Sequence, residues 1–252
     1  MSTADLIESV HPEEQAAVLK RFERLAPSEQ RAALHALRDE VIKRCTRDGW
    51  FFATNFVLTR DEADAESIKR FPDLPYLRQA WNVLVTNQLI TIAKSRQMFI
   101  SWLLCVFCVW FARFHPNKAI YWQTQKDEDA NAMVCLPGSK ESVRHAARMQ
   151  FVLSHLPPWL AGRYQESEGK LVFENGSVII ALAGGANQIR GKTPSLIIED
   201  EFAFQPEAKG VYQALAPLIQ KATKFVAVST PNGTTNQFAE LFFGHPVEQG
   251  AA

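Results

Sequence analysis

The sequence has no excess of either charge: 27 Lys and Arg balance 27 Asp and Glu over 252 residues. That excludes the global positive field of many nucleic-acid binders, so any contact with nucleic acid has to be local. Cysteine is scarce, with only Cys45, Cys105, Cys108 and Cys135, and a disulfide framework is excluded in a chain of this length. The opening MSTADLIESV lacks the charged-then-apolar plan of a secretion signal, and a reducing, cytoplasmic setting fits. The apolar run MFISWLLCVFCVWFA, Met98 to Ala112, falls short of the roughly 20 residues a membrane span needs. It follows a basic polar loop and reads as a buried helix. Its C-x-x-C, Cys105 and Cys108, has no second Cys or His pair at zinc-site spacing, so both read as core cysteines. Neither a repeat nor a low-complexity segment is present. Hydrophobic residues at 47% and charged residues at 21% describe an ordinary globular chain, ordered except at its ends.

What is present changes character along the chain. Up to about Thr59, segments such as PEEQAAVLKRFERL put apolar residues three and four apart, which predicts a helical arm over residues 1–66. The polar stretch TRDEADAESIKRFPDLP reads as a connection and carries the expected domain boundary. Beyond it, residues 67–244 alternate between short apolar strands and helices, and 245–252 form a tail. Strands are predicted at 89–93, 119–124, 195–199 and 225–229, and helices at about 101–114, 126–135, 139–156 and 206–220. Asn175-Gly176 between two apolar runs signals a hairpin. The expected fold is α/β: a mainly parallel sheet flanked by helices, of the P-loop NTPase (ASCE) type, with an added β-hairpin and an N-terminal helical arm.

Three strand ends carry candidate chemistry. The first is KSRQMFIS, Lys94 to Ser101, a polar turn between an apolar strand and an apolar helix. Backbone N–H groups and the helix dipole at such a turn attract anions. The standard loop G-x-x-x-x-G-K-[ST] would put its second glycine at Phe99 and its lysine at Ile100, and both are absent. Lys94 and Arg96 stand earlier instead, and by itself the segment reads as a strand-turn-helix with solvated cations rather than as a nucleotide loop, since both motif glycines are absent. In the second, TPSLIIEDEFAF, a strand ends in Asp200-Glu201, about 100 residues after the loop. There one carboxylate suits Mg²⁺ and the next suits the attacking water. Glu199 occupies a slot that is usually apolar. The third, KFVAVSTPNG, ends a strand in Ser229-Thr230, hydroxyls suited to a γ-phosphate or lytic water, although Pro-Asn-Gly is also an ordinary turn.

KSRQMFISW, LIIEDEFAF and VSTPNGTTNQFAELF together resemble the ATPase domain of the large terminase subunit of tailed bacteriophages, over about Phe71 to Phe243. That family carries variant loops of the form K-S-R-Q-x-x-x-[ST]. The resemblance implies an ATP-hydrolysing motor that packages double-stranded DNA into a prohead, with ATP and Mg²⁺ as cofactors. It implies a nucleotide loop of Ser95, Arg96, Gln97, Met98, Phe99, Ile100 and Ser101, with Lys94 and Arg96 as phosphate cations. Ser101 and Asp200 become metal ligands, Glu201 the general base, and Ser229 and Thr230 the coupling residues. FPDLPYLRQAW resembles the adenine-binding region, with Gln79 reading the base and Tyr76 or Leu77 as apolar contact.

Gln123, Gln125 and Lys126 are placed to approach DNA or phosphate. Arg190 first reads as the partner of a carboxylate, and alternatively as an arginine finger or a DNA contact. The implied partners are DNA, portal protein, the small terminase subunit and further copies in a ring, in the host cell cytoplasm and away from membranes. The RNase H-type nuclease domain of large terminases finds no room in these 252 residues, so no nuclease activity is expected. Two alternatives stand beside the motor: a helicase-like nucleic-acid-dependent ATPase, and a degenerate nucleotide-binding docking module.

Overall fold

The computed structural model describes Glu13 and residues 15–60, 68–137, 146–189 and 191–244. Helices α1 (Gln15–Glu23), α2 (Pro27–Arg47) and α3 (Gly49–Phe56) come first, followed by strands β1 (Leu58–Arg60) and β2 (Ile68–Arg70). Next are α4 (Pro75–Thr86), β3 (Leu89–Ala93), α5 (Ile100–Phe114), β4 (Ala119–Gln123) and α6 (Asp127–Val134). Then follow α7 (Arg148–His155), α8 (Pro158–Ala161), β5 (Tyr164–Ser167), β6 (Lys170–Phe173) and β7 (Val178–Leu182). The chain continues through β8 (Leu196–Asp200), α9 (Ala208–Ile219), β9 (Lys224–Ser229) and α10 (Gln237–Phe243).

Strands β3 to β9 form one sheet in the order β3-β9-β8-β4-β7-β6-β5. The first five are parallel, and β6 and β5 are added antiparallel. This is the expected mainly parallel sheet with its hairpin. Gly176 turns the hairpin at φ 82°, where a Cβ would meet the Asn117 side chain at 2.4 Å. The sequence reading missed β5, which extends the hairpin to three strands. The polar stretch before α4 is also more than a connection, because β1 and β2 pair across it antiparallel.

Helix α5 lies against one face of the sheet. It is apolar all round, and 12 of its 15 residues are buried, which is how a core helix differs from a surface one. Cys105 and Cys108 lie fully buried in it, and burial pushes the Cys105 thiol up to about 12. Among the described residues no helix is long and apolar enough to cross a membrane.

The helices expected before residue 66 contribute buried residues to the main core beginning at Val41. From there on, Val41, Cys45, Trp50 and Phe52 belong to the same hydrophobic cluster as α5, and the Trp110 indole donates to the Cys45 carbonyl at 2.7 Å. The boundary expected near residue 66 therefore does not separate two cores. A predicted helix over 139–156 is helical from Arg148 where described, with Ala147 extended before it. The second face of the sheet is covered by α9 through Phe202, Val211, Leu215 and Phe225.

Candidate functional site

The parallel strands bring their C-terminal ends together at one edge. At the end of β3 the Lys94 N–H still bonds the Ser229 carbonyl at 3.0 Å, so the loop leaves the sheet at a fixed point. It then passes through two left-handed residues, Gln97 at φ 61° and Phe99 at φ 59°, before α5 begins. For residues other than glycine each such position costs about 1–2 kcal/mol. Phe99 thus keeps the left-handed geometry at a position where the standard loop has glycine. Ile100, in the missing lysine's slot, is buried in the core.

Two strands away, β8 ends in Asp200, and Glu201 follows in a left-handed turn at φ 50°. The Lys94 ammonium meets Glu201 Oε1 at 2.7 Å. Glu201 Oε2 accepts from the Ser229 hydroxyl at 3.2 Å, and from the Thr230 N–H and hydroxyl at 3.1 Å each. Ser229 Oγ accepts in turn from the Ala203 N–H at 3.2 Å, and Asn232 holds the Ala203 carbonyl at 3.1 Å. Loop cation, acidic strand end and hydroxyl turn form one connected set.

The two carboxyls are pushed in opposite directions. Burial raises Asp200 to about 6; Lys94 lowers it, Glu201 adds to the rise, and Arg148 opposes it. For Glu201 burial also raises, but the Lys94 and Thr230 hydrogen bonds outweigh it, and its pKa falls below the usual range. Glu199 points to the opposite face from Asp200. It is fully buried, and burial raises its pKa well above the carboxylate range. Gln205 donates both to Glu199 Oε2 and to the Asp200 carbonyl, at 3.1 Å each. Gln205 is therefore the polar neighbour of Glu199.

A cleft of ≈ 840 Å³ opens over this edge, lined by the whole loop from Lys94 to Ser101 together with Asp200, Glu201 and Thr230. Ser229 lies buried beneath it. Gln79 is exposed on α4 and is not among the residues lining the cleft. Leu77 is buried in the core, and Tyr76 reaches the loop from outside, its hydroxyl donating to the Met98 carbonyl at 3.3 Å. Of the residues expected near DNA or phosphate, Gln125 lines the cleft. Gln123 is buried and donates to the Ala183 and Gly185 carbonyls at 2.6 and 3.2 Å. Arg190 lies outside the described residues.

Sequence reasoning missed Arg60, Asp129 and Arg148, which also line the cleft. The Arg148 guanidinium sits over the Trp102 ring, 5.6 Å from its centroid. Its charge reaches Asp200. No motif marks it, since it is carried in by the packing of α7 on α5. For a metal the Ser101 hydroxyl and the Asp200 carboxylate are the hard oxygens implied by the loop and strand motifs, and the Glu201 and Asp129 carboxylates also line the cleft. Among the described residues no cluster of three His, Cys, Asp or Glu exists. Such a sparse hard-oxygen set fits Mg²⁺, which keeps several waters and leans on substrate phosphates, rather than an ion needing a protein cage.

A strand-to-helix loop, an acidic end on a nearby parallel strand and a hydroxyl turn on the strand between define a P-loop-type nucleotide hydrolase domain. Residues 91–250 match the family described as terminase large subunit, T4likevirus-type, N-terminal, and the chain belongs to that family. The fold is similar to the large terminase of bacteriophage HK97, at 13% identity and TM-score 0.51, over 73% of this chain and 37% of that one. The ATPase domain of the Thermus phage P74-26 large terminase, in a mutant form, matches at 15% identity and TM-score 0.48 over 67% of this chain and 68% of that one. The large terminase of a thermophilic bacteriophage, in complex with ADP, matches at 14% identity and TM-score 0.44 over 66% of this chain and 39% of that one.

Proposed function

We propose that this domain binds Mg-ATP in the cleft and hydrolyses it to drive double-stranded DNA into a prohead. In this reading residues 94–101 hold the phosphates and Lys94 and Arg96 neutralise their charge. Ser101 and Asp200 would hold Mg²⁺, which supplies charge neutralisation on the phosphate oxygens. Glu201 orients and deprotonates the attacking water. The observation that carries the proposal is the joint hold on Glu201 by Lys94 and by Ser229 and Thr230.

The hold also gives an order of events. With Oε1 on the Lys94 ammonium and Oε2 on three donors, Glu201 is a poor base. A triphosphate competes for Lys94 and releases Oε1 toward the water. Loss of the γ-phosphate returns Lys94, and the rearrangement passes to Ser229 and Thr230, which makes them the coupling residues. DNA, the portal protein, the small terminase subunit and further copies of the chain in a ring are the partners proposed for this motor. Arg190 remains the candidate finger or DNA contact.

The test is turnover and nucleotide binding by the wild type and Glu201→Gln, with and without DNA. Glutamine keeps the side-chain shape but is no base, so turnover is expected to drop at least about 100-fold while a non-hydrolysable ATP analogue still binds. Equal turnover in the variant would remove Glu201 from the chemistry.

A further inference from the structure

A loop that forgoes glycine at a left-handed position needs something else to hold it there. At Phe99 that something is visible. Its half-buried ring packs against the main core cluster and stands edge-on to Phe71, with centroids 6.5 Å apart and planes at 80°. Phe71 is 2% exposed. Its own ring is edge-on to Trp50 at 5.9 Å, and its N–H is tied to the Val57 carbonyl at 2.9 Å. One residue before Phe99, the Met98 carbonyl takes the Tyr76 hydroxyl at 3.3 Å. Two consecutive loop residues are therefore gripped from outside by the segment 71–76, which is anchored on α3 and on the end of β2.

We propose that Phe99, backed by Phe71 and Tyr76, is a positioning residue whose ring clamps the phosphate loop into its anion-binding path, replacing glycine's backbone freedom with side-chain packing. Phe99 acts through the backbone N–H groups of the loop and the first turn of α5, and touches no reacting atom. The clamp stands on the loop geometry alone. Its effect on affinity rests on the nucleotide reading given above.

The consequence runs against the motif. Phe99→Gly installs the missing glycine and relieves the left-handed strain, yet it removes the anchor, so the loop should become looser and bind worse. Phe99→Tyr keeps the ring and should rescue both properties. Tyr76→Phe removes only the hydroxyl from an exposed side chain and is safe for folding.

The experiment measures hydrogen exchange of amides 95–101 in the nucleotide-free full chain, then affinity for a non-hydrolysable ATP analogue with Mg²⁺, kcat and KM. In Phe99→Gly the loop amides are expected to exchange at least about tenfold faster while the rest of the sheet is unchanged. Kd and KM rise by about tenfold or more, with kcat changed less, and Phe99→Tyr restores wild-type values. Tyr76→Phe moves exchange and affinity in the same direction by a smaller factor, and decides the matter should Phe99→Gly fail to fold. Loop exchange no faster than wild type in the folded variants overturns the clamp. If the wild type binds no nucleotide, the nucleotide reading fails, while the exchange measurement still decides the clamp.

Discussion

Replacing Asp200 by asparagine is expected to stabilise the nucleotide-free protein while abolishing its metal-dependent turnover. Asp200 is 5% exposed, and burial is the main cause that lifts its pKa from 3.8 to about 6. That difference corresponds to about 3 kcal/mol. The native state holds this proton more tightly than the unfolded chain does, so ionisation works against folding. The penalty is complete above pH about 6, shrinks as the pH falls, and is gone near pH about 4. Asparagine has the same shape and keeps an oxygen for the Glu201 N–H, which Asp200 Oδ1 accepts at 3.1 Å. At pH about 7.5 the gain should therefore be about 2–3 kcal/mol, or a rise in Tm of about 5–10 °C. The assay is urea or thermal unfolding of wild type and Asp200→Asn, without Mg²⁺ or nucleotide, across that pH range. Equal or lower stability of the variant at pH about 7.5, or a gain that persists at pH about 4, refutes the reasoning. With Mg²⁺ and an ATP analogue present the difference should narrow or reverse, because ligand binding then stabilises the wild type alone.

Two further substitutions test the surroundings. Glu199→Gln keeps the side-chain shape and removes a carboxyl whose charged form burial disfavours, burial raising its pKa well above the usual value. Unfolding free energy should stay within about 1 kcal/mol of wild type and turnover should persist; lost turnover would give Glu199 a part in the chemistry. Gly49→Ala puts a Cβ 2.4 Å from the Trp81 ring and 2.6 Å from Trp110. The urea midpoint should fall by an amount equivalent to about 1–3 kcal/mol, with turnover per folded molecule unchanged, and an unshifted midpoint would contradict the packing.

The buried strands were the most legible part of the chain. β4, β8 and β9 fall within one residue of their predicted bounds, because strands covered on both faces read as unbroken apolar runs, and the edge strand β3 was legible from its run LITIA although only Ile90 is buried. The strands that were missed lack that signature. β2 is exposed throughout and β5 is half exposed along its length, so neither carries an apolar face strong enough to stand out from a polar loop. That the helices before β1 share the main core was not legible for a related reason. GWFFATNF is mostly buried, with Trp50 against Trp81 and Gly49 against Trp81 and Trp110, and periodicity within a segment says nothing about which segment will cover it. Site residues at strand ends could be paired from sequence because parallel neighbours bring their ends to one edge. Arg60 and Arg148 come from elements beside the sheet, and only the packed chain brings them to the cleft.

In the proposed nucleotide site, Lys94 as a displaced loop lysine makes sense in these terms. In the standard loop the lysine projects from the first turn of the helix, but that slot here is Ile100, turned into the core. Lys94 projects from the end of β3, and the sheet order β3-β9-β8 places one strand between it and the acidic pair. Neighbouring strands are about 4.8 Å apart, so the side chain has to cross about 10 Å of sheet edge, passing the end of β9 on the way. What lies at that end is Ser229-Thr230, and Thr230 and Lys94 meet on the same carboxylate, one on each oxygen. A cation delivered from the helix would reach the phosphates without passing this turn. Delivery from the strand puts the hydroxyl turn between cation and acid, so a shift of Lys94 cannot leave the contacts of Thr230 unchanged.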